Sequence, residues 1–282
     1  MNVIQLRELD KGYLYYKVVI VGAGGVGSVF IRNFLQDCRM YLNAEKRSFN
    51  PPFQRYIDIT LIDGDKVEEK NLNNQVFIEE DIGQYKVEVL ADRYGDVYDL
   101  DVKRVTEYVK TKDMLKRLFY YVPNEEEQLI SILVGMVDNN RTRQLFDEFF
   151  YDESVRDLIY IDVGCEGIYV PEDPRHPTEE EIERVQNSGF SGQVVCGLKV
   201  NGQEILKPVG RVYRNILEDT RTAFPGESCG ELIVNNPQRS ATQRLAATIA
   251  NGYMNNLLHT QSIFTHYTNF DARLGGARPT YF

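Results

Sequence analysis

The run Gly22-Ala23-Gly24-Gly25-Val26-Gly27 follows the β-branched segment Val18-Val19-Ile20-Val21 and precedes an apolar pattern of helical period. Glycines at such a junction let main chain approach a phosphate, and the first N–H groups of the following helix have no partner of their own. The chemistry this prepares is nucleotide binding, although the loop by itself serves dinucleotides, mononucleotides and flavins alike. Asp63 closes a second apolar run. An acid there either accepts hydrogen bonds from ribose hydroxyls or only ends a strand in the turn Asp63-Gly64-Asp65. It lies about twice as far from Gly22 as the roughly 20 residues usual in dinucleotide folds. The polar, Pro51-Pro52-containing stretch 43–55 explains the excess as a surface insertion.

These residues need elements to hold them. Residues 17–22 read as a buried strand, and Val26, Phe30, Phe34, Leu35, Cys38 and Leu42 recur at helical spacing after it. Further strands are expected at 57–62, 102–109, 129–134 and 158–162, with helices at 85–94 and 139–151 between them. This alternation predicts an α/β fold with a largely parallel sheet covered by helices on both faces. The rhythm then changes. Residues 171–192 are polar and read as a short exposed helix with its flanks, and Asn201-Gly202 predicts a two-residue hairpin turn between 193–200 and 204–208. The second half of the sheet is therefore expected to be antiparallel. Residues 209–230 read as a long loop, 238–261 as the longest helix, and 263–282 as a partly alternating segment that unravels at Gly275-Gly276.

The stretch Leu61-Ile-Asp63-Gly-Asp65-Lys-Val-Glu-Glu-Lys-Asn71-Leu-Asn-Asn74-Gln75-Val-Phe77 is followed by Gly83-Gln-Tyr-Lys86 and by Val137-Asp138-Asn139-Asn-Arg141-Thr-Arg143. With the glycine loop, this ordered set resembles the ubiquitin-activating-enzyme-like superfamily, the ThiF/MoeB proteins. Asp162-Val-Gly-Cys-Glu-Gly167 and Gly192-Gln-Val194 are similar to the strands that follow in that family. The resemblance implies a Rossmann-like mixed sheet in one adenylation domain over 1–282. Its nucleotide-binding half would be 1–150, and its carrier-binding half 151–282 with a crossover loop around 209–230. It further implies that ATP and the C-terminal carboxylate of a ubiquitin-like or sulfur-carrier protein, or of a peptide, give an acyl-adenylate and pyrophosphate. A homodimer is the usual assembly.

Carried over by motif, Gly25 and Gly27 would line the phosphates, Asp63 would hold the ribose, and Asn71 and Gln75 would line the nucleotide pocket. Lys86 would neutralise phosphate charge, against the alternative of an exposed helix lysine. Asp138 would bind Mg²⁺, and the same residue could serve as a helix N-cap before Asn139. Gly22, Gly24, Asp65, Asn74 and Asn139 complete the implied nucleotide-binding set. Thioester or persulfide transfer would need a cysteine. Cys229, in the loop before the last long helix, is the first candidate and Cys165 the second, while Cys38 and Cys196 read as small buried residues.

The sequence also departs from the pattern. Asn74 stands where the family has arginine, with Arg141 or Arg143 as possible substitutes, and no N-terminal arginine-bearing helix is recognisable beyond Arg7. The same fold used as a non-catalytic partner subunit is therefore the alternative reading, and a nicotinamide or flavin oxidoreductase explains only the glycine loop. No C-x-x-C pair occurs among the four cysteines, so no structural zinc is expected. His176, His259 and His266 are too dispersed to suggest a metal site or a Ser-His-Asp arrangement.

The formal charge of −10 argues against nucleic acid or an anionic membrane as partner and permits a basic protein. The longest uncharged apolar stretch, 18–31, is too short to span a bilayer, and acidic residues among the first twelve argue against a secretion signal. With scattered cysteines, the expected compartment is the cytoplasm. Arg273-Leu274-Gly275-Gly276, although similar to a carrier tail, reads as a glycine turn.

Overall fold

The computed structural model of the protein describes residues 2–8, 10–47, 54–220, 222–225 and 237–282. A short β1 (Ile4–Gln5) precedes the central strand β2 (Tyr13–Val21), whose last residues are buried on both faces, as their unbroken β-branched run requires. The long helix α1 (Gly25–Arg47) then leads to β3 (Gln54–Ile62). Two 3-10 turns, Glu69–Asn73 and Glu79–Asp81, carry the chain to α2 (Lys86–Leu90), a π-helical turn (Ala91–Gly95) and α3 (Asp96–Tyr98). There follow β4 (Val102–Val105), α4 (Lys112–Phe119), β5 (Glu127–Gly135), α5 (Asn140–Phe150) and β6 (Leu158–Cys165). The second half contains α6 (Glu179–Asn187), β7 (Ser191–Val200), β8 (Gln203–Leu206), and the single turns α7 (Val209–Val212) and α8 (Asn215–Glu218). It ends with α9 (Ser240–Thr260), β9 (Ser262–Ile263), β10 (Tyr267–Asp271) and β11 (Gly276–Thr280).

The main sheet runs β11-β10-β7-β6-β5-β2-β3-β4, with β8 also on β7, while β1 and β9 form a separate ribbon. β4, β3, β2, β5 and β6 are mutually parallel; β7, β8, β10 and β11 pair antiparallel. This is the mixed α/β sheet expected from the sequence. Alternate residues of β2 feed two cores. Leu14, Tyr16, Val18 and Ile20 pack with residues of α1 and α9, and Val19 and Val21 with residues of α4 and α5. The Tyr16 hydroxyl, fully buried, donates to the Leu257 carbonyl at 3.0 Å and so fastens the central strand to α9.

Three expectations change. The 209–230 region is not all loop, because α7 and α8 form within it; Asn140 and Gln144 on α5 hold its end by hydrogen bonds to Asp219 and to the Ile216 carbonyl. The chain does not unravel at Gly275-Gly276. β10 and β11 pair from Tyr267↔Thr280 to Asp271↔Gly276, and Gly275, with φ 63°, turns the hairpin. The strand expected over 102–109 stops at Val105, and α4, which has no counterpart in the sequence reading, follows. Among the described residues no helix is long and apolar enough to cross a membrane.

Candidate active site

Val21 pairs with both Ile62 and Gly135, so β2, β3 and β5 end at one level. Strand order reverses between β2 and β5, and in open α/β sheets such a reversal leaves a crevice at the carboxyl ends. The loops after these strands border a cleft of about 1240 Å³, which extends past the end of β6 towards β7 and β10.

The glycine turn forms its floor. Gly22 takes φ 100°, in the left-handed region, and an added Cβ would stand 2.5 Å from the Met136 carbonyl oxygen. A Cβ on Gly25 would meet the buried Gln243 side chain at 2.2 Å, and one on Gly27 the Gly22 carbonyl oxygen at 2.1 Å. Gly24 differs: no atom of the described residues lies within 4 Å of an added Cβ, and the residue borders the cleft. Its carbonyl accepts the first helical bond from Ser28 N–H at 2.8 Å, which leaves the earlier N–H groups of α1 without helical partners. Neither α1 nor α5, both of which begin at the cleft, has an acid in its first turn. Both N-termini therefore favour a bound anion.

Asp63 is buried beside this turn. Its carboxylate accepts Ala23 N–H at 2.6 Å and Asp65 N–H at 2.8 Å. Burial, and then the neighbouring Asp65 charge, push its carboxyl up to about 6. Lys86 is 6% exposed and holds Asp65 at 2.9 Å. Tyr108, just beyond β4, donates its hydroxyl to the same carboxylate. Burial opposes the ionisation of Asp65, but Lys86 and Tyr108 together hold its carboxyl below the usual range.

At the end of β5, Asp138 is exposed on the cleft wall, with no hydrogen bond or ion pair to a described residue. The cap of α5 is Asn139, not Asp138: its side-chain oxygen accepts Thr142 N–H at 2.8 Å. Among the described residues the buried Asn139 amide nitrogen has no partner, nor has the Gln75 side-chain oxygen, and both residues border the cleft. Arg143 is turned inward. It reaches Asp162 at 3.0 Å, the Val163 carbonyl at 3.0 Å and the Val137 carbonyl. Arg141 lies 4.7 Å from the centre of the Phe224 ring.

The site residues expected from the sequence thus divide. Gly22, Gly24, Gly25, Asp63, Asn71, Asn74, Gln75, Lys86, Asp138 and Asn139 share the cleft. Asp65 does not border it and serves as the anchor of Lys86; Gly27 packs under Gly22. Lys86 is not an exposed helix lysine, and Arg143 cannot stand in for an arginine at 74, because Asp162 and main-chain carbonyls occupy it. Arg7, beyond β1, does not border the cleft either. Cys229 lies outside the described residues. Cys165 borders the cleft, and burial pushes its thiol up to about 12. Cys38 and Cys196 are buried, as expected. The sequence reading missed Tyr108 and Gln243. Tyr108 follows a parallel strand as Asp63 does, which was a usable signal; nothing local marks Gln243 as the neighbour of Gly25.

The model of the ThiF family matches residues 7–195. The chain belongs to the ThiF family. The matched span contains the glycine turn, the acid pair, Lys86, Asp138 and Arg143. No curated protein matches the sequence. Among solved structures, this ThiF-family chain is similar in fold to PaaA, with TM-score 0.54 and 15% identity over 97% of this chain and 64% of that one. It is also similar to E. coli MccB with ATP, with TM-score 0.53 and 17% identity over 94% and 63%. A third is the microcin C7 biosynthetic enzyme MccB in complex with N-formylated MccA, with TM-score 0.51 and 16% identity over 97% and 65%. The chain spans just under two thirds of the length of these proteins.

Proposed function

We propose that the cleft binds ATP with Mg²⁺ and adenylates the C-terminal carboxylate of a peptide or small carrier protein. One observation carries this reading. Among the described residues, open space over Gly24 adjoins two helix N-termini, the buried Lys86 and an Asp138 without an ion-pair partner. The donors fit the nucleotide: Asp63 can accept from ribose hydroxyls, and the buried, unpartnered atoms of Gln75 and Asn139 offer an acceptor and a donor. Among the described residues no group of three or more His, Cys, Asp or Glu could hold a metal ion by itself. That suits Mg²⁺ bound by Asp138 and phosphate oxygens, since this ion commonly takes one or two carboxylates and completes its shell with phosphates and water.

The carboxylate is already a nucleophile at neutral pH. Its oxygen attacks the α-phosphorus, the bond to the β-phosphate breaks, and pyrophosphate leaves. The protein's share is alignment and charge neutralisation. The carboxylate is placed at the far end of the cleft, beside Gly164, Cys165 and Gln193. There β6 runs on to Cys165 while its pairing with β5 stops at Asp162. One relative in fold supports a peptide substrate, since MccB has been solved with ATP and with MccA.

A ubiquitin-like or sulfur-carrier substrate, a homodimer, a cytoplasmic location and onward transfer through Cys229 belong to the same proposal. ATP–pyrophosphate exchange tests it. Exchange that depends on a peptide or carrier ending in a free carboxylate, and that is lost in Lys86→Ala, is the expected result. ATP binding with no exchange for any such substrate would favour the non-catalytic subunit instead.

A further inference from the structure

Among the described residues, the phosphate end of the cleft is short of mobile positive charge. Of these residues, Lys70, Lys86 and Arg143 are the cations that border the cleft. Arg143 is spent on Asp162 and on main-chain carbonyls. Lys86 is buried and carries the Asp65 carboxylate at 2.9 Å, so part of its charge is already compensated. Position 74 is a neutral asparagine. A triphosphate brings more negative charge than Lys86 and one Mg²⁺ can offset.

Among the described residues, Lys70 is the cation still available. It lies on the 3-10 turn Glu69–Asn73, and Lys70, Asn71, Asn73, Asn74 and Gln75 all border the cleft. Its ion-pair partner is Glu68 at 2.9 Å, with side chains 60% and 62% exposed. Pairs so exposed are weak and exchange readily for a better anion. The Lys70 charge is also close enough to help hold the Asp65 carboxyl below its usual range.

We propose that Lys70 is the mobile phosphate-binding cation of this site, leaving Glu68 to place its ammonium on the β- and γ-phosphates of bound ATP. The inference rests on the nucleotide reading above. It also explains how a neutral residue is tolerated at 74: the charge sits four positions earlier on the same wall.

Calorimetric titration with Mg·ATP and with AMP tests it, because only the triphosphate presents the β- and γ-phosphates. In Lys70→Ala, ATP binding is expected to weaken about tenfold or more, the worth of one charge-assisted contact, while AMP affinity stays within about twofold. Lys70→Arg should keep ATP affinity within about threefold, and Asn74→Arg added to Lys70→Ala should recover most of the loss. Equal losses for ATP and AMP would reduce Lys70 to a structural role, and no loss at all would remove it from the site. Wild-type protein that binds neither nucleotide would overturn the nucleotide reading itself, an outcome distinct from both.

Discussion

Replacing Gly24 by alanine separates a phosphate cradle from a glycine turn that merely packs well. Gly24 has no positive φ, and no atom of the described residues lies within 4 Å of the added methyl. The folded protein should therefore accept it without strain. The loss of backbone freedom in the unfolded chain should even stabilise it by about 0.4–1 kcal/mol. The melting temperature is expected to stay put or rise by about 1–3 °C. Mg·ATP binding should nevertheless fall about tenfold to a hundredfold, because the methyl occupies the space through which phosphate oxygens reach the first N–H groups of α1. Losing one charge-assisted hydrogen bond there costs about 1.5–3 kcal/mol. Gly27→Ala is the counterpart. Its Cβ would stand 2.1 Å from the Gly22 carbonyl oxygen and 2.8 Å from the carbon, and main chain cannot rotate aside. Overpacking of this kind costs about 1–3 kcal/mol, or about 3–10 °C of melting temperature, whether or not nucleotide is present. Thermal melts paired with calorimetric ATP titrations read both quantities. Gly24→Ala protein that melts and binds ATP as the wild type does would refute the cradle.

Other outcomes follow from the same geometry. Asp138→Asn should leave urea stability within about 0.5 kcal/mol, because Asn139 caps α5, but should abolish Mg²⁺-dependent exchange; Asn139→Ala should cost about 1 kcal/mol in the same denaturation. The Asp63 carboxyl, raised to about 6, is protonated below that pH and loses acceptor capacity. ATP affinity should therefore climb between pH 5 and pH 7, and 2′,3′-dideoxy-ATP, which has the same phosphates and no ribose hydroxyls, should miss that part of the climb; parallel curves for the two nucleotides would dismiss a ribose contact. Arg143→Ala strands the fully buried Asp162 and should cost about 3–5 kcal/mol by urea denaturation, with Arg143→Ala/Asp162→Ala destabilised by less than the sum of the single changes.

The parallel half of the fold was legible because its strands are runs of β-branched residues and its helices have a single period, as in Val18 to Val21 and in α1. Asp63, Lys86 and Asp138 were legible as a set through the ordered motifs that resemble the ThiF/MoeB proteins, and the fold brings all three to one cleft. What stayed hidden depends on tertiary contact. Arg143 looked available as a phosphate ligand, and only the fold brings Asp162 and the Val163 carbonyl to it. Asp65 looked like a ligand, yet Lys86 and Tyr108 converge on it from elements far along the chain. The α7 and α8 turns are too short for periodicity to register, and they persist through bonds from Asn140 and Gln144. Asp138 and Asn139 are both good capping residues, so composition could not choose between them.

The sheet's hydrogen bonding does not stop where the strands do. Gly22 N–H donates to the Ile62 carbonyl, Met136 N–H to the Val21 carbonyl and Asp63 N–H to the Val105 carbonyl. The binding floor is thus woven from the last rungs of four adjoining strands and has the stiffness of the sheet beneath it. A ligand settling there has little main chain to organise, so variation in affinity among homologous chains should arise in the side chains of the surrounding rim, with the floor held constant.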